Sequence, residues 1–213
     1  YSAPRGELIL TAPIVFGRLH VLPVVTEFLK AYPEIDIRLF LADSFVDLLE
    51  SQIDLALRIG ELPDSNLIAT RVGEIRRVVC ASPAYLADRG VPQSPADLSA
   101  HDCITFQGLT SPKTWSFNAP GFAASVPIHS RLVVNTAEAA IDAAVAGLGI
   151  TRVLSYQIVA SVRGERLSTI LETFEPQPWP VSLLHTGQGL VPLKLRAFLD
   201  FAAPRLKARL AAV

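Results

Sequence analysis

A carboxylate or phosphate is most simply held by the backbone N–H groups that open a helix. Four stretches offer that arrangement: Thr11-Ala12-Pro13, Asp43-Ser44, Ser82-Pro83 and Asn135-Thr136. Free N–H groups and the partial positive charge of a helix end suit an anion there. Every helix also needs a cap, so each stretch has a purely structural reading as well. Arg58 and Arg152 lie near the ends of predicted strands. Each is either one half of a surface ion pair or a guanidinium fork for an anionic ligand.

Catalytic chemistry is poorly represented. His20, His101, His129 and His185 stand in no Gly-x-Ser-x-Gly or His-Glu-x-x-His pattern. Cys80 lies in an apolar run, where a thiol is inert unless something lowers its pKa. Cys80 and Cys103, the two cysteines, have no metal-ligand spacing and read as buried thiols. Gly147-Leu148-Gly149 is a fragment of a dinucleotide fingerprint, but it follows a predicted helix instead of a strand. An enzyme reading would have to rest on His20 or Tyr156. No catalytic residue, metal site or cofactor is therefore expected.

The elements that must position these residues follow from periodicity. Residues 7–11 read as a strand. Phe16, Leu19, Leu22, Val25, Phe28, Leu29 and Tyr32 have helical spacing, with Pro23 placed to kink or break the helix. Ile35, Ile37, Leu39 and Leu41 alternate as a strand, and Ser44 caps a short helix with Asp47 three residues on. Residues 54–59 form a strand and 60–65 a loop. This β-α-β-α-β order predicts a mostly parallel sheet with helices on both faces. Further strands are expected over 67–72, 76–81, 103–106, 115–117, 127–134 and 181–185. Ser82-Pro83 and Ser94-Pro95 start helices with proline in the first turn. Asn135 caps a helix, with Glu138 three residues on, and Gly147 ends it. A helix over 155–162 and a last one from about Leu193 complete the reading.

The fold class is thus α/β, with two Rossmann-like lobes joined by two crossing strands. Lobe I comprises residues 1–74 and 184–213, and lobe II residues 75–183. In such sheets a ligand cleft lies at the carboxyl ends of the strands. Pro13, Ser82 and Asn135 are expected to face one cleft.

Composition narrows the function. The 213 residues carry 19 basic and 20 acidic side chains, a net charge of -1. A duplex-binding domain carries a basic surplus against the phosphates, so this chain alone is not expected to bind DNA. Half of it is hydrophobic and 18% charged, which predicts a packed core. No apolar run approaches the roughly 20 residues that span a bilayer, and the polar start does not read as a signal peptide. The chain has no methionine, and its linker-like start reads as that of a fragment or processed product.

Several strings resemble the LysR-type transcriptional regulators. They are Thr11-Ala12-Pro13-Ile14-Val15-Phe16-Gly17-Arg18, Tyr32-Pro33, Asp54-Leu55-Ala56-Leu57-Arg58-Ile59-Gly60-Glu61-Leu62-Pro63-Asp64-Ser65 and Cys80-Ala81-Ser82-Pro83-Ala84-Tyr85-Leu86. Pro95-Ala96-Asp97-Leu98-Ser99-Ala100-His101-Asp102-Cys103 and Ala146-Gly147-Leu148-Gly149-Ile150 extend the match over essentially the whole chain. The resemblance implies a C-terminal effector-binding domain with a fold like the type 2 periplasmic binding proteins. The family's winged helix-turn-helix is absent from the sequence, so contact with DNA would come only through that domain. It further implies a cytoplasmic protein, a small organic acid or aromatic effector, and a homodimer or homotetramer. Carried over residue by residue, the effector contacts are Pro13, Val15, Phe16, Ile59, Gly60, Ser82, Asn135 and Thr136, beside Arg58 and Arg152 from the reading above. Many family members place Ser or Thr where this chain has Val15, which removes a hydrogen-bond donor. The alternative on the same fold is a periplasmic solute-binding protein of a transporter.

Overall fold

The structure, a computed structural model, describes residues 3–44, 48, 52–62, 65–106, 113–187 and 189–213. The helix expected after Ser44, with Asp47, lies outside the described residues, as does part of the 60–65 loop. The chain divides into two compact units, one of residues 1–75 and 179–213, the other of residues 76–178.

Unit 1 is built on a five-stranded sheet of order β2-β1-β3-β12-β4. Its strands are β1 (Gly6–Ala12), β2 (Ile35–Leu41), β3 (Leu55–Ile59), β4 (Leu67–Ile75) and β12 (Trp179–Thr186). β1 runs parallel to β2 and β3, while β12 is antiparallel to both β3 and β4. Four of its strands therefore run one way and β12 runs against them, so the mostly parallel sheet carries one antiparallel strand. Alternation sends Leu10, Leu55, Leu57 and Leu183 to one face, where Val24, Phe198 and Leu206 meet them. Ala56 and Leu184 go to the other, against Leu48 and Ile53. Removing each of these leucine, isoleucine, valine or phenylalanine side chains from water contributes about 1.5–3 kcal/mol.

Proline shapes the first helical run. The chain turns through α1 (Ile14–Phe16), a π-helical turn (Gly17–Val21) and α2 (Leu22–Ala31), which places Pro23 in the first turn of α2. A proline there lacks a donor that the first turn leaves unused anyway. The expected break at Pro23 thus takes the form of a π turn just upstream. α6 (Leu193–Ala211) packs on α2, with Phe198 edge-on to Phe28 at 5.0 Å.

Unit 2 repeats the plan. Its sheet has the order β11-β5-β10-β6-β9. The strands are β5 (Arg77–Ala81), β6 (Asp102–Phe106), β9 (His129–Val134), β10 (Ile150–Leu154) and β11 (Ser168–Ile170). β6, β9 and β10 are parallel, and β5 is antiparallel to β10 and β11. One face carries Val79, Ala81, Cys103 and Ile150, covered by α3 (Pro83–Arg89) and by the hairpin of β7 (Thr114–Ala119) and β8 (Phe122–Pro127). The other carries Val78, Cys80, Ile104 and Val153 under α4 (Ala137–Val145) and α5 (Ser155–Arg163).

Two boundaries differ from the expectation. Residues 127–134 are not one strand: β8 ends at Pro127 in the hairpin, Ile128 donates its N–H to Lys113, and β9 joins the main sheet. The strands expected to cross between lobes each lie in one sheet. β12 pairs with β4 from Trp179 to Thr186, so residues 179–183 belong with unit 1, and β5 pairs only inside unit 2. Arg76 alone separates β4 from β5.

Candidate functional site

In unit 1 the expected residues converge on the carboxyl ends of the parallel strands. Pro13 follows β1 and starts α1, and its carbonyl accepts from the Gly17 N–H at 2.7 Å. The first free N–H of that run is already taken, because Ile14 donates to Asp43 Oδ1 at 3.0 Å. Asp43 stands just past β2, and sequence reasoning gave it no role beyond its place before Ser44. Val15 is half-buried. Phe16 is fully buried with its ring 4.9 Å from that of His20, so it serves the core more than an open surface.

Arg58 is buried near the end of β3. Its guanidinium reaches the Leu57 and Ser44 carbonyls, both at 3.4 Å. Burial lowers its pKa, and the nearby Asp43 carboxylate acts against that shift. Arg58 therefore braces the turn after β2. Ile59 and Gly60 follow. Gly60 has φ +117, a backbone region that glycine adopts without strain, and its N–H donates to Pro180 at 2.9 Å.

Unit 2 separates its expected residues. Thr136, not Asn135, caps α4: its hydroxyl accepts from the Ala139 N–H at 3.2 Å. Both residues are exposed at the carboxyl end of β9. Ser82 lies at the opposite end of the sheet. β5 runs antiparallel to β10, so its last residue, Ala81, falls beside the beginnings of β10 and β6. Ser82 is also buried, and its hydroxyl accepts from the Tyr85 N–H at 3.2 Å as the cap of α3. Ser82 and Thr136 therefore lie at opposite ends of the unit 2 sheet.

Arg152 is half-buried on β10, under the hairpin. Its guanidinium lies over Trp115 at 5.1 Å and Phe117 at 5.5 Å and donates to the Ser116 carbonyl at 2.8 Å. Burial first, and then the neighbouring Arg77, push its pKa down to about 10.

The histidines and cysteines have structural surroundings. His101 is buried, with Nδ1 3.0 Å from the Tyr85 hydroxyl. That hydroxyl also accepts from the Asp102 N–H at 3.1 Å. His185 is buried with Nδ1 3.1 Å from the Thr186 carbonyl. Exposed His129 lies 3.4 Å from Asp102. Burial, then the Arg209 charge, lowers the pKa of His20. Tyr156, the other residue on which an enzyme reading would rest, is buried in α5. Among the described residues no group of three His, Cys, Asp or Glu could hold a metal ion. No described helix is long and apolar enough to cross a membrane.

The family model described as LysR substrate binding domain matches residues 2–207. The chain belongs to the LysR family. It is similar to the probable HTH-type transcriptional regulator LtrA of Klebsiella pneumoniae, 30% identical over 97% of this chain and 68% of that protein. The HTH-type regulator CrgA of Neisseria meningitidis serogroup C is 32% identical over 97% of this chain and 69% of its own length. The chain thus spans about two thirds of these relatives. The solved structure of CrgA, a LysR-type transcriptional regulator from Neisseria meningitidis, superposes on this LysR domain with a TM-score of 0.81. It is 28% identical and covers 95% of this chain and 69% of that one. Full-length AphB from Vibrio cholerae, at 24% identity, 94% and 68% coverage and a TM-score of 0.82, shares the fold. This is the two-lobe, periplasmic-binding-protein-like regulatory domain, and the family's work is transcription regulation.

Proposed function

We propose that this LysR domain is the effector sensor and oligomerisation module of a transcription regulator. A small organic acid or aromatic molecule would bind at the carboxyl ends of the parallel strands. What supports this reading is that each unit brings expected residues to the carboxyl ends of its own parallel strands: Pro13, Val15, Ile59 and Gly60 at the ends of β1 and β3 in unit 1, and Asn135 and Thr136 at the end of β9 in unit 2. Ligands of open α/β sheets bind at such strand ends. Arg152, in the middle of β10, supplies a fixed cation, and Ser82 is left to its capping role. Phe16 and Arg58 hold the floor and the adjoining turn. Binding would shift the balance between two arrangements of the domain. Coupling of about 1–3 kcal/mol is typical of allosteric proteins. The change would pass through a homodimer or homotetramer to DNA-binding domains outside this chain, in the cytoplasm. No catalytic step is part of the reading.

A periplasmic solute-binding protein would have a similar fold. The relatives named above are transcriptional regulators, which favours the sensor.

Thermal-shift screening against small organic acids and aromatics tests the proposal. A ligand at a hundredfold its Kd adds about 2.7 kcal/mol, a rise of several degrees in Tm. Val15→Trp fills the space after β1 and is expected to weaken that ligand at least tenfold. A folded domain that no compound stabilises, or a ligand indifferent to Val15→Trp, would count against the site.

A further inference from the structure

The pairing of β5 with β10 places Arg152 opposite Val79, and Arg77 stands two residues before Val79 on the same strand. Opposed and alternate residues share a sheet face, so both arginines project to the side that carries Val79, Trp115 and Phe117. Diagonal neighbours of this kind lie about 7–8 Å apart, with their β-carbons somewhat closer, within reach of two long side chains meeting over one ligand. Both are half-buried. Burial lowers the pKa of Arg77, and the charge of Arg77 acts on Arg152. The two cations therefore repel each other in a partly dry setting.

Among the described residues no carboxylate pairs with Arg152; its hydrogen bond goes to the Ser116 carbonyl. Glu175, the acid that reaches this end of the sheet, is engaged by Arg76 at 3.0 and 3.2 Å. The Trp115 and Phe117 rings fix the plane of the Arg152 guanidinium. They are themselves buried, so they offer a ligand no ring face. What the place offers is charge and forked N–H donors, which match the oxygens of carboxylates and phosphates.

We infer that Arg77 and Arg152 together form a recognition point for a compact dianion, a short dicarboxylate or a phosphate group. This rests on the reading of the chain as an effector sensor and narrows the effector to one bearing two negative charges.

The probes are inorganic phosphate and malonate, titrated against the folded domain with sodium chloride at matched ionic strength as reference. A saturable rise in Tm is expected with at least one of them. Arg152→Gln and Arg77→Gln are each expected to weaken it tenfold or more, while Lys207→Gln, on the exposed side of α6, leaves it unchanged. The absence of a saturable rise, or an equal rise in Arg152→Gln, overturns the inference. Should a variant fail to fold by circular dichroism, arginine Nε–Hε NMR correlations of the unaltered chain decide. Two must move with phosphate at one shared dissociation constant, and none moving overturns the inference. A screened effector that is uncharged, or that binds Arg152→Gln as well as the unaltered chain, would defeat the dianion while leaving the sensor intact. Phosphate binding that needs both arginines supports the dianion whatever Val15→Trp does.

Discussion

At the scale of single residues, Cys80 and Cys103 show how environment sets reactivity. Both are buried, and both thiols are pushed from 9.0 up to about 12, Cys80 by burial and Cys103 by burial and then the Asp102 charge. At neutral pH both stay protonated and out of reach of reagents. A disulfide-exchange probe is expected to titrate neither thiol in the folded chain and both after denaturation. The same shift has a sign in stability. Between pH 9 and 12 the unfolded chain loses these protons first, so the native state binds more and stability falls as pH rises. Urea midpoints measured from pH 8 to 10.5 are expected to drop above pH 9, less steeply in Cys80→Ala/Cys103→Ala. A flat profile would mean the thiols ionise alike in both states. The sequence already placed the cysteines in apolar runs. It also placed Ser82 as a cap ahead of Pro83. It placed the next cap on Asn135, the stronger capping type, whereas the hydrogen bond is made one residue later by Thr136. It did not single out Arg77, whose pairing with Arg152 depends on a strand more than seventy positions away.

At the scale of elements, close approach is the governing constraint. A β-carbon on Gly149 would lie 2.3 Å from the backbone carbonyl oxygen of Asp102, at the start of β10 where it meets β6. A backbone oxygen cannot swing aside as a side chain can. Gly149→Ala is expected to cost about 1–3 kcal/mol by forcing the two strands apart. Urea denaturation measures it, and a loss under 0.5 kcal/mol would show that the strands give way easily. Periodicity revealed β1, β2, β3 and β12 because their apolar residues alternate or run together. It missed β8, of which the strand expected over 127–134 took in only Pro127, because the hydrogen-bond partner changes at Ile128 while the apolar pattern runs on. It missed β11, which at three residues is too short to show a period. Strand direction was illegible too. The antiparallel run of β5 sends Ser82 away from Thr136, and pairing direction is a property of two distant segments, not of either alone.

At the scale of the whole molecule, the division into units makes its own prediction. Residues 76–178 are continuous in sequence and hold their two core clusters entirely within themselves. A fragment of those residues is expected to unfold cooperatively in urea with dispersed amide NMR signals. A fragment without cooperativity would mean that unit 2 depends on unit 1. The two-lobed plan was legible from the order of strands and helices. The residue at which the chain passes back was not, because β12 reads as a strand wherever it pairs.

That late return has a consequence for synthesis on the ribosome. Among the described residues β4 has one hydrogen-bonded neighbour, β12, and the chain must reach Thr186 before that neighbour exists. Translation at about 5–20 residues per second leaves β4 waiting on the order of ten seconds. Every strand of the second sheet emerges in that interval, so the segment encoded in the middle can finish folding before the one encoded first. During the wait β4 is a bare strand, the kind that recruits other chains. The exposed Arg71 and Glu74 place charge along it and act as gatekeepers until its partner is made.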